Sequence, residues 1–274
     1  MTLTLNGTLI LVGAGNMGGA LLKGLLDGGL NSAQVIALDP MPPDSMRNML
    51  SERGVACLAS PPKLAEPAEV ILLAVKPQIL DAVAPGLASL AGAGTVVLSV
   101  AAGRTIASIA RHFASDTAIV RSIPNTPASI GRGITAAIGN RYVSPAQRAL
   151  CRSLLAAVGE VVWLDDEKLI DAATAVSGSG PAYVFLLAEC LAEAGRKAGL
   201  PAEIAMRLAR ATVAGAGELM HRSELDAATL RQNVTSPNGT TAAALEVLMG
   251  KDELQRLMIR AVAAAASRAR QLAS

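Results

Sequence analysis

Aromatic side chains are almost missing from this 274-residue chain: Phe113, Phe185, Tyr142, Tyr183 and Trp163 are all it has. A stacking platform for single-stranded bases needs several rings along one groove, so that class of function is excluded. An excess of charge of either sign is also missing. Lys and Arg number 24 against 22 Asp and Glu, a formal net charge of +2, which leaves no dense basic face for nucleic acid. Three cysteines, Cys57, Cys151 and Cys190, lie far apart and form no CxxC pair. They make no disulfide framework, and a reducing cytoplasm is the expected setting. Two histidines, His112 and His221, leave little material for a zinc site or a His-based triad, so no metal is expected. The N-terminal Met1-Thr2-Leu3-Thr4-Leu5-Asn6 lacks the basic start and apolar run of a signal peptide. No apolar stretch reaches the ~18 residues needed to span a bilayer, so no membrane partner is expected.

What is present is small and apolar. Hydrophobic residues make up 51% of the chain, mostly Ala, Leu and Val, and charged residues only 17%. That mixture favours closely packed helices, buried parallel strands and subunit interfaces. At about 150 residues per domain the length suggests two domains. The first half alternates short apolar strands with helical patterns. Strands are expected at 8–12, 34–38, 69–75, 95–100 and 117–121, with 134–139 and 160–163 extending the sheet. Helices are expected at 16–27 and 44–53. Such alternation implies βαβ units and a parallel sheet. After Asp165 the strand signals stop, and helices are expected at 166–175, 181–197, 202–221, 227–232, 240–249 and 251–272. The boundary falls between domains 1–164 and 165–274. The 181–198 helix is apolar on more than one face, so it needs burial on several sides, as dimerisation would provide.

The strongest local signal is Gly13-Ala14-Gly15-Asn16-Met17-Gly18, which follows a strand and opens a helix. Gly13 permits the tight turn, Gly15 lets backbone approach a pyrophosphate, and Gly18 allows close helix–strand packing. The helix N-terminus offers free N–H groups to phosphates. This is the dinucleotide fingerprint of a Rossmann-type domain. The expected fold class is therefore an α/β Rossmann-type N-terminal domain with a mostly parallel sheet, followed by an all-α C-terminal domain. Asp39 ends the second strand. An acid there accepts hydrogen bonds from a ribose 2′-OH and repels a 2′-phosphate, which leans the cofactor, NAD(P)H, towards NADH while leaving NADPH open. Asp39-Pro40 also reads as a plain turn.

Three further segments are specific. Residues 70–78 read Val-Ile-Leu-Leu-Ala-Val-Lys-Pro-Gln, 177–183 read Ser-Gly-Ser-Gly-Pro-Ala-Tyr, and 233–245 read Asn-Val-Thr-Ser-Pro-Asn-Gly-Thr-Thr-Ala-Ala-Ala-Leu. With GAGNMG, this set closely resembles the pyrroline-5-carboxylate reductase family over nearly the whole chain. The resemblance implies cofactor contacts from Ala74, Val75, Lys76 and Pro77 beside the glycine motif and Asp39. It implies that Asn233 and Val234 line the nicotinamide side. It places Ser236, Gly239 and Thr240 on the substrate carboxylate and Thr241 on the ring nitrogen. The 236–241 turn reads equally as an anion nest and as an ordinary helix cap, because the same amides serve both. Met249 departs from the polar residue usual at its position. Ser177-Gly178-Ser179-Gly180-Pro181 is expected to break one helix and start another beside the active site. Pro124-Asn125-Thr126-Pro127 is expected to border the nicotinamide pocket.

The reaction the resemblance implies is hydride transfer to the C=N bond of Δ1-pyrroline-5-carboxylate, giving L-proline, the last step of proline biosynthesis. It also implies homodimers built through the C-terminal helices, and a decamer of five dimers as a further assembly. Two other readings stay open: a β-hydroxyacid dehydrogenase-like oxidoreductase, and a dinucleotide-sensing protein without catalysis.

Overall fold

The computed structural model describes residues 3–273; Met1, Thr2 and Ser274, which end the two expected domains, lie outside the described residues. Eight strands, β1 (Leu9–Val12), β2 (Val35–Leu38), β3 (Ala56–Leu58), β4 (Val70–Leu73), β5 (Val96–Ser99), β6 (Ala118–Ile123), β7 (Gly133–Gly139) and β8 (Gly159–Trp163), form one sheet. Its spatial order is β3-β2-β1-β4-β5-β6-β7-β8. The first six strands run parallel; β7 turns antiparallel to β6, and β8 then pairs parallel with β7. The helices around them are α1 (Asn16–Asp27), α2 (Asp44–Glu52), α3 (Pro77–Leu87), α4 (Ile106–Ala110), α5 (Pro145–Ala156) and α6 (Leu169–Ala173).

The period of two in the strands sorts their side chains onto two faces. Leu9 and Leu11, Val70 and Leu72, and Val96 and Leu98 pack with Leu21, Leu22 and Leu25 of α1 and Leu154 and Leu155 of α5. The alternate residues Ile10, Val12, Ile71, Leu73 and Val97 pack with Leu80 and Leu87 of α3 and Ile109 of α4. Covering both faces is what lets β1 and β4 be apolar at every position and β5 at all but its last, Ser99.

A π-helical turn, Thr174–Gly178, follows α6 and leads into α7 (Gly180–Lys197). Then come α8 (Ala202–Arg222), α9 (Ala227–Asn233), α10 (Thr240–Leu248) and α11 (Leu254–Ala273). Contacts divide the chain into two compact units. The first holds residues up to Gly178 together with those from Ala266 onward; the second is Ser179–Ala265. The sequence placed its boundary at 164/165, whereas α6 and the π-turn group with the sheet. The last turn of α11 rests on the loop after β5, where a Cβ on Gly103 (φ +70°) would sit 3.1 Å from the Leu272 carbonyl oxygen.

Within Ser177–Pro181 the helix is interrupted at Ser179 and α7 starts at Gly180 with Pro181 in its first turn, but the break is one residue long, because the π-turn fills the chain up to Gly178. One expectation is corrected as a consequence: the run Leu169–Lys197 is, by length and composition, long and apolar enough to cross a membrane. The glycines and serines had disguised its length. In the single chain this run is mostly exposed, with Phe185, Leu186 and Leu187 each more than half accessible.

Candidate functional site

β1 lies between β2 and β4, so the chain's crossover direction reverses at its two flanks. Ligands of open α/β sheets bind at the carboxyl ends of strands at such a switch point. Three segments leave the sheet there side by side. Gly13 follows β1 and donates its N–H to the Leu38 carbonyl (2.9 Å), and Ala74 follows β4 and donates to the Val12 carbonyl (2.8 Å). Asp39 follows β2. Its Oδ2 accepts the Ala14 N–H at 2.8 Å and its Oδ1 the Met41 N–H at 3.0 Å. The carboxylate is thus fixed rather than solvated. A carboxylate has about four lone-pair positions, so two acceptor positions remain for ligand hydroxyls.

The glycines of this loop divide by role. Gly13 has φ +93°, and a Cβ there would stand 2.9 Å from both the Ala74 carbonyl oxygen and Val75 Cγ1. A Cβ on Gly18 would overlap the Gly13 carbonyl. Both glycines are demanded by the fold. A Cβ on Gly15 meets no protein atom within 4 Å, so the chain itself places no demand on that position. Gly15 is also the N-cap of α1, with no side chain bonded to the helix start. The opening N–H groups of a helix have no intrahelical acceptor. Backbone donors beside open space are what a pyrophosphate requires, so these residues fit a dinucleotide. Asn16 is exposed at that start, whereas the Met17 side chain packs on the core. Lys76 is exposed and caps α3, with Pro77 in the first turn. Val75 is buried and Ala74 half-buried between the glycine loop and Lys76.

The sequence missed the neighbour of this acid. The short edge strand β3 donates no hydrophobic pattern, yet the Asp39 N–H bonds the Leu58 carbonyl at 3.0 Å and the Cys57 thiol faces the Asp39 carbonyl at 3.9 Å. Its sequence signal was the brief apolar run 55–58 after Gly54. Burial and the Asp39 carboxylate push the Cys57 thiol above its ordinary range.

The remaining expected residues lie in the second unit. Asn233 ends α9 and Val234 caps it, both exposed. Ser236 opens a turn in which its carbonyl accepts the Gly239 N–H at 3.1 Å. Asn238 occupies the left-handed region at φ 59°. A Cβ on Gly239 would meet the Ser236 hydroxyl and stand 3.1 Å from the Ser236 carbonyl oxygen, so the turn is tight there. Thr240 and Thr241 then open α10 with Gly239 as N-cap and no side-chain cap. Among the described residues, no side-chain cap bond is made at the start of α10. The Gly239 amide is engaged within the turn, and the Thr240 and Thr241 amides lack helical acceptors. Elsewhere side chains do cap, with Thr105 on α4, Ser144 on α5 and Asp226 on α9. Met249 caps α10 at its far end.

Helices α1 and α10 thus both start at a glycine N-cap with no side-chain cap bond, the first of them beside Asp39. Residues 8–103 match the family model "NADP oxidoreductase coenzyme F420-dependent", and residues 167–272 match "Pyrroline-5-carboxylate reductase dimerisation". The dimerisation match contains the exposed apolar run 169–197. A pyrroline-5-carboxylate reductase of Pseudomonas aeruginosa is 40% identical over 262 residues, covering 96% of this chain and 95% of that protein. A solved pyrroline-5-carboxylate reductase from Coxiella burnetii superposes with TM-score 0.91 at 34% identity, covering 98% of this chain and 100% of the other. The Plasmodium falciparum pyrroline carboxylate reductase, solved with NADP bound, gives TM-score 0.81 at 28% identity over 98% of this chain and 99% of that one. The kinship runs along nearly the whole length, and the chain belongs to the pyrroline-5-carboxylate reductase family.

Proposed function

We propose that the chain reduces Δ1-pyrroline-5-carboxylate to L-proline, closing proline biosynthesis in the cytoplasm, with the two glycine-capped helix starts holding the two anionic ligands. The observation that carries this reading is the start of α10, where a strained turn delivers amides that no side chain caps. A carboxylate satisfies those donors and gains from the helix dipole.

Gly13–Gly18 and the start of α1 would hold the pyrophosphate, Asp39 the adenosine ribose, and Ala74–Pro77 with Asn233 the remaining contacts. When bound, the nicotinamide dinucleotide supplies a hydride to the C=N carbon of the substrate. The rest is orientation, which alone lowers a barrier by several kcal/mol. Ser236 and Thr240, with Gly239 shaping the turn, position the carboxylate, and Val234 gives the site an apolar wall. The cyclic imine enters protonated, and its N–H donates to the Thr241 hydroxyl. As the carbon gains hydride, the C=N electron pair settles on nitrogen as the lone pair of a secondary amine. No protein acid has to deliver a proton in that step, which suits a site whose motifs contain no histidine. Asp39 favours NADH, since its charge opposes a 2′-phosphate. The exposed faces of α7, α8 and α11 pair two chains into a homodimer, and five dimers build a decamer.

The test follows reduced-nicotinamide absorbance with pyrroline-5-carboxylate, in parallel with NADH and NADPH. Turnover with a higher kcat/KM for NADH is expected. Absence of turnover with both refutes the reductase reading.

A further inference from the structure

Asn125 is among the few buried polar side chains of the first unit, 8% exposed. It stands two residues past β6, whose carboxyl end lies on the same sheet edge as Gly13 and Ala74. It sits at the N-cap position of the short helical turn 126–130 but does not cap it. Its side chain is committed elsewhere. Oδ1 accepts the Ile134 N–H at 3.0 Å, and Nδ2 donates to the Ser177 carbonyl at 3.1 Å. Ser177 belongs to the π-turn, where backbone pairing departs from the α-helical pattern. π-turns concentrate at functional positions. The first unit ends one residue later, at Gly178. Close by, buried Arg121 of β6 donates to Glu167 Oε1 at 2.8 Å, and Glu167 in turn accepts the Ile106 N–H at 2.9 Å. The end of β6 and the residues just after it therefore hold both the segment leading into α6 and the π-turn.

We propose that Asn125 is a positioning residue for the reduction: by holding the Ser177 carbonyl it fixes the π-turn at the carboxyl edge of the sheet, where the cofactor is proposed to lie. This rests on the reductase reading. Only the amide suits both arms, because one partner is a donor and the other an acceptor. A carboxylate at the same place keeps the Ile134 bond and sets an oxygen against the Ser177 oxygen.

The test is Asn125→Asp in the full-length enzyme, read by kcat and KM across pH, by NADH affinity from fluorescence titration, and by Tm. We expect kcat to fall about tenfold or more, as a small misplacement of reacting groups does, with NADH Kd unchanged. We also expect the deficit to shrink as pH falls, since the protonated carboxyl regains a donor. Wild-type kcat at every pH overturns the proposal. So does a parallel loss of NADH affinity and Tm, which marks a merely structural residue. Should that variant fail to fold, Asn125→Ser passes through the same readouts, with lowered kcat and unchanged NADH Kd expected and any other pattern overturning the proposal. Wild-type turnover is measured first; its absence refutes the reductase reading itself.

Discussion

The sharpest consequence of the glycine loop is that two alanine substitutions two residues apart should fail in different ways. At Gly13 the backbone has φ +93°, and the added Cβ would stand 2.9 Å from a backbone oxygen and 2.9 Å from Val75 Cγ1. Left-handed backbone costs an L-residue about 1–2 kcal/mol, and overpacking against backbone adds about 1–3 kcal/mol. A central value of about 3 kcal/mol corresponds to a Tm drop of roughly 6–12 °C. At Gly15 the backbone is extended and no protein atom lies within 4 Å. The gain from restricting the unfolded chain, about 0.4–1 kcal/mol, offsets the small loss of an N-cap glycine. Gly15→Ala should therefore melt within about 2 °C of wild type. The methyl group would occupy the space a pyrophosphate needs, so NADH affinity should fall about 10–100-fold, or roughly 1.4–2.8 kcal/mol. Differential scanning fluorimetry gives the first quantity and fluorescence titration the second. A Gly15→Ala protein that binds NADH like wild type would refute the assignment of this open space to the cofactor.

Asp39→Asn keeps an acceptor for the Ala14 amide and removes the charge that opposes a 2′-phosphate. The ratio of kcat/KM for NADH to that for NADPH should drop about tenfold, and an unchanged ratio would mean the acid does not face the ribose. Thr241→Ala should cost about tenfold or more in kcat/KM with Tm unchanged, and Thr241→Ser should restore most of it, because the hydroxyl is what the imine N–H meets. Arg104 and His112 hold the Asp81 carboxyl below its ordinary 3.8. A depressed acid contributes stability above its unfolded pKa and loses it as pH falls through the folded value. Tm of wild type should therefore converge on that of Asp81→Asn below about pH 4, and a constant gap across that range would contradict the pairing.

The parts of the fold that obey a local period were legible in the sequence. The strand–glycine–helix start was expected where it stands, and α1 occupies 16–27 as its apolar spacing indicates. The reversal of β7 was not legible, because strand direction is set by the path of the chain and not by side-chain alternation. Edge strand β3 escaped because its three residues are exposed and carry no buried face. The Ser177–Gly180 segment reads as a break because serine and glycine favour turns; the structure interrupts the helix at Ser179 alone, with Ser177 and Gly178 inside the π-turn and Gly180 opening α7. For the substrate-type turn, residue types alone left capping and anion binding equal. The structure adds that Gly239, and not a hydroxyl residue, occupies the N-cap, which supports the proposed anion role. Asn125 was legible only as part of a rigid turn, since its partners Ile134 and Ser177 lie 9 and 52 residues away.

Asp81 is bound to Arg104 and His112 and Arg121 to Glu167, while two amides hold Asp39 with acceptor positions to spare. In the proposed sites the charge on the ligands is left to backbone amides, and that arrangement has a stability cost that can be measured. A serine at Gly15 could cap α1 from a position whose backbone angles, φ −77° and ψ −165°, already suit an N-cap side chain. The cap is worth a few tenths of a kcal/mol over glycine, and loss of glycine's unfolded freedom adds about 0.4–1 kcal/mol. Gly15→Ser should then raise Tm by roughly 2–4 °C while its hydroxyl takes the amide a phosphate would use and its Cβ fills the approach. The substitution should move the two observables in opposite directions: a more stable protein with weaker NADH binding. A variant that gains stability with undiminished NADH affinity would show that the uncapped start of α1 is not held open for the dinucleotide.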